Sequence, residues 1–186
     1  LRTPLSLILG YTEALSDGKL PGTHEIYSVM HQEANHLNRL IDDLRLISLA
    51  EAGELPLNRV PISPATLIER AEAAFKPRAA QRGVRLQSEI AADLPEISVD
   101  PERMAQVLGN LTSNALRFTP ENGQVTLSVR QEGDEILLGV SDTGPGVAPE
   151  DLPHIFDRFY RGDKSRRAGD ESGLGLTIAR SLVEAH

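Results

Sequence analysis

The chain has 186 residues, 19 basic and 27 acidic, for a formal charge of −8 and an isoelectric point near 5.1. Its 40% hydrophobic and 25% charged content is that of a globular protein, which excludes wholesale disorder, and its acidity argues against broad binding to nucleic acid or anionic lipid. The absence of cysteine excludes a disulfide scaffold, a thiolate metal site and a cysteine nucleophile.

Up to about Gly53 the sequence has helical period. Leu5, Ile8, Leu9, Thr12 and Leu15 recur at three- and four-residue steps, as one apolar stripe on a helix does. Asp17-Gly18 and Pro21-Gly22 then punctuate the chain as a turn, and Thr23 is placed to cap the next helix. That helix carries Ile26, Val29, Met30, Leu37, Leu40, Ile41, Leu44 and Ile47 until Gly53 ends it. A two-helix hairpin cannot hide both stripes alone. A second copy would complete a four-helix bundle; the alternative is packing against the chain's own second half. The expected division is a hairpin over residues 1–54 and a second domain over 55–186.

Pro56, Pro61 and Pro64 mark a linker or an edge strand. Pro64 to Arg82 then reads as a helix, and Val84 to Ile90 alternates as a half-buried strand. Asp100-Pro101 opens a further helix, with Asp100 as N-cap and a stripe of Met104, Val107, Leu108, Leu111 and Ala115. Gln124 to Gln131 and Glu135 to Asp142 read as strands around a Gly133-Asp134 turn, and the chain from Gly175 onward as a helix. The expected fold class is α+β: an antiparallel sheet with helices on one face. No stretch approaches the ~20 apolar residues that cross a bilayer, so direct membrane contact is not expected. The start at Leu1, without Met or a signal-like segment, reads as that of an excised piece.

Two glycine-rich turns are candidates for a ligand. Asp142-Thr143-Gly144-Pro145-Gly146 follows a strand, and Gly173-Leu174-Gly175-Leu176 precedes a helix, where free N–H groups and the dipole favour an anion. Neither is a P-loop, and both lack the third glycine of a dinucleotide-binding turn. Asn110 and Asn114 share a helix face with Arg117; a carboxamide oxygen suits Mg²⁺ and a guanidinium suits phosphate. Arg158, Arg161, Lys164, Arg166 and Arg167 gather in a loop-forming segment that would close over phosphates as a lid. His24, His31 and His36 do not form a metal set and read as solvated, and no serine lies in a nucleophile elbow.

In order, these features resemble a sensor histidine kinase of two-component signalling. Leu1-Arg2-Thr3-Pro4-Leu5 is similar to the tail of that family's phospho-acceptor box, His-Glu-Leu-Arg-Thr-Pro-Leu. Asn110 to Phe118 with Thr119-Pro120 resembles its N box, and Asp142 to Gly146 its first glycine box. Ile155-Phe156-Asp157-Arg158-Phe159-Tyr160-Arg161 resembles the F box, and Gly173 to Leu176 the second glycine box. The resemblance implies a dimeric hairpin followed by an ATP-binding α/β sandwich of the histidine-kinase, gyrase and chaperone type. It also implies phosphotransfer to an aspartate in the receiver domain of a response regulator, in the cytoplasmic portion of a membrane-anchored sensor.

By motif position, the resemblance gives Asn110 the Mg²⁺ and lines the nucleotide site with Asn114, Arg117 and Phe118. It has Asp142 accept from the adenine amino group while Gly144 and Gly146 pass close to base and sugar. Arg161 is to reach the terminal phosphate, with the loop up to Ser172 as lid. Val147, Arg158, Gly173, Leu174, Gly175 and Leu176 complete the implied ATP contacts, and Thr3 matches a position used in dephosphorylating the response regulator.

ATP-driven machines such as type II topoisomerases and heat-shock chaperones share the asparagine and Asp-x-Gly-x-Gly pattern, but lack the Arg-Thr-Pro hairpin and the F box. A non-enzymatic reading leaves only a dimerisation and docking module. By the kinase pattern the acceptor histidine precedes Leu1, and none of the five histidines present matches it. The 186-residue chain is therefore expected to bind ATP without phosphorylating itself. Incubation with γ-labelled ATP should leave no stable, acid-labile label on it.

Overall fold

The structure is a computed structural model that describes residues 2–162 and 172–186. It divides into two compact units, Leu1–Ser48 and Leu49–His186.

The first unit contains α1 (Arg2–Ser16) and most of α2 (His24–Glu51). Thr23 caps α2: its carbonyl accepts from Tyr27 N–H, and its hydroxyl lies 3.4 Å from Ile26 N. Leu5, Leu7, Leu9, Tyr27 and Ile41 remain exposed, so one hairpin does leave apolar surface uncovered. On α2, partial burial and the neighbouring Asp42 carboxylate raise the pKa of Asp43 above its ordinary value, with Arg39 opposing them.

In the second unit the Pro56–Pro64 stretch holds a short strand, β1 (Val60–Ile62), and α3 follows over Pro64–Gln81. The next elements are β2 (Arg85–Ile90), β3 (Ile97–Val99), α4 (Pro101–Phe118), β4 (Gln124–Glu132), β5 (Glu135–Asp142) and, last, α5 (Gly175–Ala185). β1 pairs antiparallel with β3, a strand too short for the sequence pattern to reveal. The main sheet has the order β2-β4-β5. β4 and β5 are antiparallel, but β2 and β4 run parallel, so the sheet is mixed where the sequence suggested an antiparallel one. The reason is connection length: the segment between β2 and β4 contains β3 and α4, long enough for the crossover that parallel pairing needs.

Val125, Leu127 and Val129 of β4 are buried on one face of this sheet. Ala79 of α3 and Ala115 and Leu116 of α4 pack with Val84 and Val125, flanked by Phe75, Leu86 and Val140. Helix α5 packs in turn against α4 and buries Ile178, Ala179 and Leu182, with Leu174 buried just before it.

Asp100 anchors the start of α4. Its Oδ1 accepts from the N–H groups of Glu102 and Arg103 at 3.0 and 3.1 Å, and Oδ2 accepts from Asn58 N at 2.9 Å. Its own N–H donates to His186 Nε2 at 3.2 Å, while His186 Nδ1 lies 2.6 Å from Leu182 O. The neutral tautomer with its proton on Nδ1 satisfies both contacts and ties the end of α5 to the start of α4. Burial pushes the Asp100 carboxyl up, but the three backbone donors and nearby Arg103 outweigh it and hold the pKa below its ordinary value. A depressed carboxyl contributes stability above its unfolded pKa and loses it as pH falls through the folded one. Asp100→Ala should lower the unfolding free energy by about 1–2 kcal/mol at pH 7. In urea titrations the gap to the parent should narrow as pH drops below about 4.

Candidate functional site

One side of α4 is committed to the core through Met104, Val107, Leu108, Ala115 and Leu116, which leaves Asn110, Asn114 and Arg117 together on another face, each half-buried. Asn110 Nδ2 donates to Gly175 O at 3.1 Å, at the first residue of α5. That bond takes the amide nitrogen and leaves Oδ1 as the oxygen on offer. The Arg117 guanidinium lies over the Phe118 ring, 5.1 Å from its centroid. Arg82, just past the end of α3, donates to Arg117 O at 3.2 Å, and Arg78 of α3 donates to Ser113 Oγ at 3.0 Å, which steadies the last turns of α4.

The end of β5 meets the end of α4. Gly144 N–H donates to Asp142 Oδ1 at 2.8 Å, which folds the Asp142 carboxylate back over its own turn. A Cβ on Gly144 would lie 2.6 Å from that oxygen and 2.9 Å from Phe118 O. Only glycine lets the turn come this close to α4. Asp142, Gly146 and Val147 are exposed on the same loop.

A third element closes on α5. Gly173 has φ +70°, and a Cβ there would lie 2.9 Å from Tyr160 O and 3.0 Å from Phe159 C. Phe159 has φ +62°, which is strained for an aromatic residue. Thr177 of α5 donates to Phe156 O at 2.9 Å, and Tyr160 donates its hydroxyl to Asp151 Oδ1 at 2.7 Å. Leu174 is fully buried, Gly175 and Leu176 half-buried, and the start of α5 has no side-chain cap. Its first N–H groups are of the kind that receive an anion.

Arg158 is paired with Glu51. It lines a cleft of about 330 Å³ with Phe156, Asp157, Thr177, Arg180 and Glu184, and none of the α4 asparagines or the Asp142 turn lines that cleft. Arg161 is half-buried. Lys164, Arg166 and Arg167, and with them most of the expected lid, lie outside the described residues. So does the side chain of Thr3, although its backbone belongs to α1. Among the described residues no group of three or more His, Cys, Asp or Glu side chains is placed to hold a metal, and no helix is long and apolar enough to cross a membrane.

Thr119 and Thr143 stand in the sequence only as motif members without a role, and nothing there points to Gly123, Asp151 and Thr177; these residues support the loops and turns around the site. Thr143 and Gly144 do carry a signal in hindsight, since Asp-Thr-Gly is an Asx-turn sequence. Thr177 and Asp151 carry none.

Residues 1–53 match the His Kinase A (phospho-acceptor) domain, and residues 99–186 match the histidine kinase-, DNA gyrase B- and HSP90-like ATPase family. The chain belongs to the histidine kinases. Along its whole length it is 38% identical to the signal transduction histidine-protein kinase BaeS of Escherichia coli (strain K12), of which it spans 40%. Two solved structures are similar over 99% of the chain. Acinetobacter baumannii histidine kinase AdeS has a TM-score of 0.79 at 26% identity and is covered to 85%. Full-length ShkA in complex with AMPPNP has a TM-score of 0.75 at 30% identity and is covered to 38%.

The Gly173 contact is a constraint on this histidine kinase chain that stability measurements can check. Gly173→Ala imposes a left-handed conformation costing ~1–2 kcal/mol and displaces the Phe159–Tyr160 backbone besides. Its unfolding free energy in urea should fall by about 2 kcal/mol or more.

Proposed function

We propose that this chain binds ATP with Mg²⁺ and transfers the γ-phosphoryl group to a histidine, as the catalytic part of a two-component sensor kinase. The phosphoryl group then passes to an aspartate in the receiver domain of a response regulator. The observation that carries this reading is the meeting of two elements at Phe118: the Asn110–Asn114–Arg117 face of α4 and the Asp142–Gly144 turn of β5. That arrangement presents a carboxylate for a base amino group beside a carboxamide and a guanidinium for phosphates. The AMPPNP held by ShkA, a similar protein, supports a nucleotide as ligand.

In this reading Asp142 Oδ2 accepts from the adenine amino group while Oδ1 stays on Gly144 N–H. Gly146 and Val147 border the base and sugar, and Asn114, Phe118 and Arg117 line the path to the phosphates. Gly173, Gly175 and Leu176 offer backbone N–H groups at the start of α5, Leu174 lies between them with its own N–H on Ser172 Oγ at 3.3 Å, and Arg161 reaches the terminal phosphate. Arg158 joins them once it leaves Glu51.

The donor set fits Mg²⁺. With its nitrogen on Gly175 O, Asn110 has an oxygen to give, and a single protein ligand suits an ion that keeps waters and takes phosphate oxygens. When bound, Mg²⁺ supplies charge neutralisation at the phosphates. The acceptor imidazole nitrogen forms the new P–N bond as the bond to the ADP oxygen breaks, and the phosphorylated histidine then donates to the regulator. Thr3 serves in the reverse, dephosphorylating activity. The exposed apolar residues of α1 and α2 support a homodimer through the hairpin, and the whole protein is a membrane-anchored sensor with this portion in the cytoplasm.

Asn110→Ala should weaken Mg²⁺-ATP binding by at least tenfold in isothermal titration calorimetry while leaving the thermal unfolding midpoint within a few degrees. A chain extended upstream of Leu1 by the family's His-Glu pair should acquire acid-labile label from γ-labelled ATP. ATP hydrolysis without any phosphohistidine in that extended chain would favour a gyrase- or chaperone-like ATPase instead.

A further inference from the structure

The ladder between β4 and β5 does not stop at its last strand pair, Val125 and Asp142. One step on, Thr143 N–H donates to Gln124 O at 3.0 Å, and Gln124 N–H donates to the Thr143 hydroxyl at 2.9 Å. A side-chain oxygen has taken the place of a backbone carbonyl. The chain is thereby released from the sheet and turns at once into Gly144, whose N–H holds Asp142 Oδ1 at 2.8 Å. Asp142 is bracketed by the Thr143 clasp behind its backbone and the Gly144 amide on its carboxylate.

The clasp also has a seat. A Cβ on Gly123 would lie 2.9 Å from Thr143 Oγ1 and 2.4 Å from Thr119 Cγ2, so glycine makes the room in which the hydroxyl sits. Thr119 is buried and donates its own hydroxyl to Ala115 O at 2.6 Å. A continuous line of contact thus runs from the last turn of α4 through Thr119, Gly123 and Thr143 to Asp142.

We infer that Thr143 is a positioning residue for base recognition: its hydroxyl, acting through Asp142, sets how sharply the site separates a 6-aminopurine nucleotide from a 6-oxopurine one. The inference rests on the proposed role of Asp142. A fixed carboxylate accepts from an exocyclic amino group and opposes a carbonyl at the same place. A carboxylate free to swing does neither well. Thr143→Val keeps the β-branched shape but removes the acceptor, leaving Gln124 N–H without its partner and the turn loose. Thr143→Ser keeps the oxygen.

The test is calorimetric titration of the 186-residue chain with ADP and with IDP, each with Mg²⁺, alongside circular dichroism to confirm the fold. The parent should prefer ADP. Thr143→Val should bind ADP about tenfold more weakly, a loss of about 1.4 kcal/mol, and lose most of its preference over IDP. Thr143→Ser should keep that preference within about twofold. Thr143→Ala, which also lacks the oxygen, should behave as Thr143→Val and serves in its place if the valine variant unfolds. Unchanged preference in both oxygen-free variants would overturn the inference while leaving the role of Asp142 standing. A parent that does not prefer ADP, and an Asp142→Ala variant that binds both nucleotides as the parent does, would overturn the role of Asp142 and this inference together.

Discussion

Burial of one side of α4 is the constraint on which the rest of the second unit depends. Met104, Val107, Leu108, Ala115 and Leu116 are removed from water, and each of the larger four contributes about 1.5–3 kcal/mol to the fold. Helical geometry then leaves no freedom for the other side. Once the apolar stripe is turned inward, Asn110, Asn114 and Arg117 stand together on the face beside α5 and the Asp142 turn. A site of this kind does not have to be assembled by a ligand. It is positioned by hydrophobic packing that operates in the absence of any ligand, and Asp100 fixes where along the helix axis that packing begins.

Around this helix the two glycine loops are held differently, although their glycines look alike in the sequence. The Asp142–Gly146 loop is tied to the sheet and to α4 at its start, through a ladder extension from Thr143 to β4 and the close approach of Gly144 to Phe118. The Gly173 loop is held by strain and contact: two positive φ angles, at Phe159 and Gly173, bring the chain back on itself, and Thr177 pins the far side. The first arrangement suits the proposed reading of a base by Asp142, which demands a fixed carboxylate. The second keeps backbone conformations that persist only because the surrounding structure holds them.

Much of this was legible in the residues alone. The Asp100-Pro101 start of α4 announces itself because an N-cap and a proline at the first helical position have a local cause. The alternation in β4 is equally plain, since Val125, Leu127 and Val129 face the core. Strand direction was not legible, because side-chain alternation is the same in parallel and antiparallel pairs and only the intervening elements decide it. The clasp at Thr143 was hidden for a related reason. It exists only because the register places Val125 opposite Asp142, and a register is a relation between segments that no single segment displays. Arg158 shows the opposite failure: its motif position was clear, but a carboxylate at Glu51 holds it in a cleft apart from the asparagines.

The parallel pairing of β2 with β4 has a consequence for how the polypeptide comes into being. As the chain emerges from the ribosome, β2 is complete long before its partner, and α3 with β2 has no sheet to join until the whole of α4 and β4 has been made. Through that interval Leu86 and Ile90 have no strand beside them. Closing the pair then means bringing together segments separated by an entire helix, an entropic cost that slows folding in proportion to the non-local character of the contacts. The β2–β4 pair is therefore the non-local one in the main sheet, and all of α4 is synthesised between its two strands.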